Sequence, residues 1–143
     1  MTNEAVLLYE LEPPLPFTVA DGTGIEKGAV LKMSSPRTAA LATATTDMIA
    51  GVAATEKIAN DGVTSLGVYR RGWFKMAVSG AATIGQALTI QDAAAPNYNW
   101  VTSGSMISSG STILGYALES TTTSGTIAVD LNIGGSAVSG GIA

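Results

Sequence analysis

Two residue types are missing outright from this chain: cysteine and histidine. Without cysteine there is no disulfide framework and no thiol nucleophile. Without histidine the commonest general base is gone, and with it the Ser-His and Cys-His nucleophile pairs and nearly all zinc ligation. Charge is scarce too. Asp, Glu, Lys and Arg make up 13% of the chain, 7 basic against 11 acidic, for a net −4. The one adjacent basic pair is Arg70-Arg71, too little for a phosphate-binding surface, so no nucleic-acid partner is expected. Apolar runs such as "MIAGVAA" stop far short of the ~20 residues a membrane helix needs, so no membrane partner is expected either. The start, "MTNEAVLL", carries acid where an export signal carries base, which points to a product made and assembled in the cytoplasm.

Aromatic residues account for only 6% of a chain that is 46% hydrophobic. Any core must therefore be built from Ala, Val, Ile and Leu, each burying less area at about 25 cal/mol per Å². With 143 residues the chain has the size of one domain, and it gains from self-association if its subunit is only modestly stable. Composition divides it into three zones: a proline-ended segment over 1–16, a Gly/Ala/Thr-rich body over 17–135, and a small-residue tail over 136–143 that reads as flexible.

The body reads as β. "TIAVDLNI" sets Ile127, Val129, Leu131 and Ile133 on one face against Thr126, Ala128, Asp130 and Asn132 on the other, the period of a half-buried strand. "WFKMAV" alternates in the same way, with Phe74, Met76 and Val78 opposed to Trp73, Lys75 and Ala77. Turn signals separate such runs at Ser34 to Pro36, Asn60 to Gly62, Ala95 to Asn97 and Ser124-Gly125. In one stretch, 38–59, alanines predict a short helix. Two short echoes suggest an internal duplication. "GAVL" at 28–31 returns as "GQAL" at 85–88, an offset of 85 − 28 = 57, and "IAGVA" at 49–53 returns as "ILGYA" at 113–117, an offset of 113 − 49 = 64. The halves would run from about 20 to 77 and from 78 to 135. Gly51 and Gly115, inside the repeated strands, predict bulges or close backbone approach, as in a small barrel.

"VADGTGIEKG" invites a cofactor reading, but the third glycine, Gly28, comes one residue late for a dinucleotide fingerprint. An apolar strand and a turn come directly after it, leaving no room for the helix that would hold a phosphate. The motif is the glycine-punctuated start of a strand. The acids are scattered, and no Asp-rich calcium loop is present. Serine and threonine are plentiful, and only a Ser-Lys pair would keep nucleophilic chemistry open. The expectation is a protein that is not an enzyme, with no catalytic residue, no cofactor and no metal.

Two features remain. In "AVLLYELEPPLPF" the residues Val6, Leu7, Leu8, Tyr9 and Leu11 precede an extended proline segment. They form either the first strand of the body or an arm that adds to another chain's sheet. In "YRRGWF" the residues Arg70, Arg71, Trp73 and Phe74 gather arginine and aromatics, the types favoured at interface hot spots. The plainer reading is an aromatic core with arginines at its rim.

The ordered series "GIEKGAVL", "IAGVA", "GWFKMAVSG", "IGQAL", "ILGYAL" and "GTIAVDL", spanning roughly 22–131, resembles the capsid cement, or head decoration, proteins of tailed bacteriophages. The resemblance implies an all-β subunit with a small β-barrel-like or β-tulip body, sitting as a homotrimer on the outer surface of an icosahedral head. It also implies that the N-terminal arm, here Val6, Leu7, Leu8, Tyr9 and Leu11, contacts the major capsid protein and so stabilises the capsid. The segment around Pro13, Pro14 and Pro16 is richer in proline than that family leads one to expect. An alternative of another class is a carbohydrate-binding or adhesin-like module, with Trp73, Trp100, Tyr98 or Tyr116 as stacking platforms.

Overall fold

The computed structural model describes residues 4–42, 47–90 and 113–133, together with the backbone of 101–103. The expected tail over 136–143, and Tyr98 and Trp100, lie outside the described residues. Eleven strands appear among those described: β1 (Val6–Glu10), β2 (Leu15–Thr18), β3 (Val30–Ser35), β4 (Thr38–Leu41), β5 (Ile49–Ala53), β6 (Ser65–Tyr69), β7 (Arg71–Val78), β8 (Ala87–Ile90), β9 (Val101–Ser103), β10 (Gly115–Ala117) and β11 (Gly125–Asn132). The protein is all-β.

Among the described residues of 38–59 the expected short helix is not formed. That stretch supplies β4 and β5, and all five residues of β5 are buried. The physical reason is that β5 has two dry faces. Ile49 and Val52 join one hydrophobic cluster, while Ala50 and Ala53 join the other. A strand buried on both sides carries no alternation, and its small residues imitate a helix former.

Strands β2 to β6 close into a five-stranded barrel in the order β2-β4-β3-β5-β6. The second sheet runs β1-β7-β11-β10-β8-β9, and a parallel Val78–Val101 pair returns β9 to β7, so β7 to β11 also form a ring. The two rings share one connection order. Strands β2 and β7 pair antiparallel with β6 and β11 and parallel with β4 and β9. Strands β3 and β8 each lie between the strand that follows them and β5 or β10.

The hydrogen bonds match as well. The Ala53 N–H donates to Ala29 O and the Ala117 N–H to Gln86 O, both at 2.9 Å. Isolated bridges join Ile25 to Lys57 and Ala82 to Thr121; their offsets, 82 − 25 = 57 and 121 − 57 = 64, are those of the sequence echoes. The rings meet between Tyr69 and Arg71.

Inside the first ring lie Phe17, Ile25, Leu31, Leu66 and Val68. The larger cluster fills the second ring with Phe74, Met76, Leu88, Ile127, Val129 and Leu131, and it takes in Val30, Ile49 and Val52 from the outer wall of the first. One continuous apolar body therefore holds both rings together. Burial of a Leu, Ile, Phe or Met side chain stabilises by about 1.5–3 kcal/mol.

Candidate interaction surface

The surface begins with a difference between the rings. Strand β7 is 8 residues long, while its counterpart β2 has 4. Placing Phe17 with Met76 and Val19 with Val78 (76 − 17 = 78 − 19 = 59), all four buried, sets Pro13, Pro14 and Pro16 where β7 has Gly72, Trp73 and Lys75. Proline has no N–H to give to a ladder: Pro16 sits inside β2 opposite Gly67, while Pro13 and Pro14 lie before the strand begins at Leu15. In the second ring β7 continues, and its extension receives β1. The pairs are Val6 with Lys75, Leu7 with Phe74, Tyr9 with Trp73 and Glu10 with Gly72, and a bulge falls at Leu8.

Residues 6–10, read from the sequence as either an arm or a first strand, thus lie on the body in this structure, at the end of the six-stranded sheet. Among the described residues, β7 is the one strand paired with β1. Three ties hold β1 in place besides the ladder. The Ala5 N–H donates to Gly28 O at 3.0 Å. The rings of Tyr9 and Trp73 meet edge to face. Tyr69 is hydrogen-bonded to Glu10; burial first, and then that carboxylate, push the Tyr69 phenol above its ordinary value.

What β1 presents is unusual for a surface strand. All five of its residues are exposed, among them Val6 at 57% and Tyr9 at 64%, and Leu11 and Leu15 beyond it are exposed as well. Together with half-exposed Trp73 these side chains leave much apolar surface on and beside a strand that, among the described residues, ends its sheet, the kind of feature that soluble proteins keep small unless it binds something. Beneath it, Glu4, Lys27, Ala54, Tyr69 and Phe74 line a cleft of about 460 Å³.

The "YRRGWF" cluster does not act as one patch. Phe74 is buried and packs edge to face on Tyr69. Arg70 lies over the ring of Phe17, 6.0 Å from its centre, and Arg71 is exposed at the start of β7. Trp73 alone of the two aromatics faces outward, beside the β1 fringe. Tyr116 is partly buried on β10, between Ala87 and Asp130.

Sequence reasoning passed over the most enclosed charge among the described residues. The Lys57 side chain is fully buried; its ammonium donates to Asp21 O (2.8 Å), Ile58 O (3.1 Å) and Asp61 Oδ1 (3.1 Å), with Asp21 Oδ1 at 3.4 Å. The signal was there in principle: an isolated lysine four residues before the acid of a tight "NDG" turn. Lys75 pairs with Glu119 (3.1 Å) and Lys32 with Asp47 (3.8 Å). Among the described residues no group of three or more acidic side chains is placed to hold a metal, and no helix is long and apolar enough to cross a membrane. No family model matches the chain, and no curated protein matches it.

Proposed function

We propose that this protein is a non-enzymatic structural component of a phage particle, which binds the outer surface of the capsid and stabilises it by holding neighbouring major capsid subunits. The observation that supports this reading best is β1: five consecutive exposed residues, four of them apolar, on an edge strand. An edge strand offers a row of backbone donors and acceptors to an incoming strand, and the flanking side chains supply apolar contact. Covering what is still exposed of Val6, Leu7, Leu8, Tyr9 and Leu11, about half of their surface, would stabilise a complex by roughly 4–8 kcal/mol at ~1.5–3 per fully buried side chain. A free arm would lose all of that to ordering about ten residues at ~1–2 kcal/mol each. Because β7 already orders β1, that cost largely falls on folding rather than on binding. Three copies joined as a homotrimer would add multivalency.

The test uses capsids of the encoding phage assembled without the protein. Wild type should co-sediment with them and raise their resistance to heat. A variant carrying Val6→Asp, Leu8→Asp and Tyr9→Asp, all at exposed positions, should fold and fail to bind. Undiminished binding by that variant would remove β1 from the contact, and no binding by wild type would end the capsid reading. A glycan array probes the alternative that the Tyr9–Trp73 pair stacks on sugars.

A further inference from the structure

Asp61 and Gly62 form the dipeptide in which aspartate most readily converts to isoaspartate, because glycine has no Cβ to shield its amide nitrogen. In that reaction the Gly62 nitrogen attacks Cγ of Asp61 and loses its proton to solvent, and one carboxyl oxygen leaves as water. The resulting five-membered succinimide is opened by water at either carbonyl, giving aspartate or isoaspartate with no net change in composition. No co-reactant besides water takes part.

The turn leaves the fold little freedom to avoid this dipeptide. Gly62 has φ +83°, a left-handed conformation that side chains rarely adopt. Asp61 is equally fixed by what it binds: its Oδ1 accepts from the Val63 N–H (2.9 Å) and the Lys57 ammonium (3.1 Å), and its Oδ2 from the Ile58 N–H (3.2 Å). The neighbouring Gly62 N–H donates to Asp21 Oδ1 at 2.8 Å.

We propose that the buried Lys57, together with the half-exposed Asp21, forms a lock that keeps Asp61-Gly62 from isomerising. Both reacting groups are tethered. Swinging Cγ of Asp61 onto the Gly62 nitrogen requires giving up the three hydrogen bonds on its carboxylate, and turning the Gly62 peptide plane requires giving up the bond to Asp21. The carboxyl must also be protonated for its oxygen to leave as water, and every donor aimed at it favours the charged form. Accordingly the Asp61 carboxyl sits below its ordinary value, the Val63 N–H being the largest cause. Lys57 suits the anchor because its own side chain cannot swing into solvent; it is also fixed by the carbonyls of Asp21 and Ile58.

The second ring supports the assignment. At the position of Lys57 it has Thr121, and its loop, "STTTSG", contains no aspartate. There Ser124 Oγ accepts from the Gly80 N–H at 2.8 Å with no ion pair involved. Both Asp-Gly dipeptides of the chain, Asp21-Gly22 and Asp61-Gly62, fall in the first ring, and there Lys57 reaches the carboxylates of both.

The experiment compares full-length wild type, Lys57→Met and Asp21→Ala with a synthetic peptide of residues 55–66, all held for weeks at neutral pH. Isoaspartate at 61 is then measured by enzymatic methylation and fragmentation mass spectrometry, with circular dichroism confirming that each protein stays folded. Wild type should isomerise at least about tenfold more slowly than the peptide, and the two folded variants several-fold faster than wild type. A wild-type rate equal to the peptide's, or folded variants as slow as wild type, overturns the lock. If Lys57→Met does not fold, Asp21→Ala decides the matter, since Asp21 is half-exposed and its loss should leave the core intact.

Discussion

Tyr9 and Trp73 meet across the β1–β7 ladder with ring centres 5.4 Å apart and planes at 90°. The geometry suits the quadrupoles of the two rings, edge against face. It also means that the exposed face of β1 is stiffened by an aromatic contact of its own.

That contact predicts a coupling. A double-mutant cycle over Tyr9→Ala and Trp73→Ala should return about 0.5–1.5 kcal/mol of interaction in chemical denaturation. Next to it in sequence, Phe74→Ala should cost about 3–5 kcal/mol, because Phe74 is buried in the larger cluster and Trp73 is not. Equal losses for Trp73→Ala and Phe74→Ala would contradict the outward placement of the tryptophan.

Gly51 and Gly115 occupy corresponding strands of the two rings. A Cβ on Gly51 would run into Tyr69 O, and one on Gly115 would run into Asp130 O. Neither carbonyl can withdraw, since each belongs to the adjoining strand. Either Gly→Ala change should destabilise by about 3 kcal/mol or more, read as a shift in denaturation midpoint. A small effect at both would show that the strands do not approach so closely.

Glu119 reaches two donors with one oxygen: the Ala128 N–H at 2.8 Å and the Lys75 ammonium at 3.1 Å. These hold its carboxyl below the ordinary value of 4.5, the Ala128 bond contributing most. A carboxyl depressed by folding stabilises the protein fully above the unfolded value, and that contribution is lost as pH falls through the folded one. Thermal unfolding of Glu119→Gln should therefore depend less on pH than wild type on descending below pH 4.5. Parallel acid limbs for the two proteins would refute the assignment.

Lys57→Met removes a buried ammonium from four oxygen contacts. Asp21 and Asp61 keep access to water, so the variant should fold but lose about 1.5–3 kcal/mol, the scale of hydrogen bonds to a charged group. Thr121, the corresponding residue in the second ring, is exposed to a larger degree. Replacing it with Ala should shift the midpoint less than Lys57→Met does.

The strands that could be read from sequence are those with one wet face. "TIAVDLNI" is β11, with Ile127, Val129 and Leu131 buried, and "WFKMAV" lies within β7. The paired fragments "IAGVA" and "ILGYA" sit on β5 and β10, in corresponding places of two rings with the same connections. What defeated the reading was burial on two sides at β5, where periodicity vanishes. The sequence echoes suggest halves of about 20–77 and 78–135, and in the structure the barrel ends with β6 at Tyr69 and the second sheet takes in β7 from Arg71. Of the surface, the apolar residues of β1 were visible as a run. Their pairing partner was not, since nothing local in "VLLYE" specifies β7. The split of Trp73 from Phe74 follows from strand alternation alone. The Lys57 cage joins residues 36 positions apart, a relationship that no local pattern carries.

The three prolines before Phe17 have a consequence for valence. Ring closure uses up strand edges, and the prolines blunt the one place where the first ring might have reopened. Among the described residues that leaves a single strand, β1, with a side to offer. A building block with one such side can end a ladder and cannot lengthen it, because a filament needs a donor and an acceptor on every unit. Concentrated solutions of the protein should therefore hold discrete particles of fixed size instead of fibres.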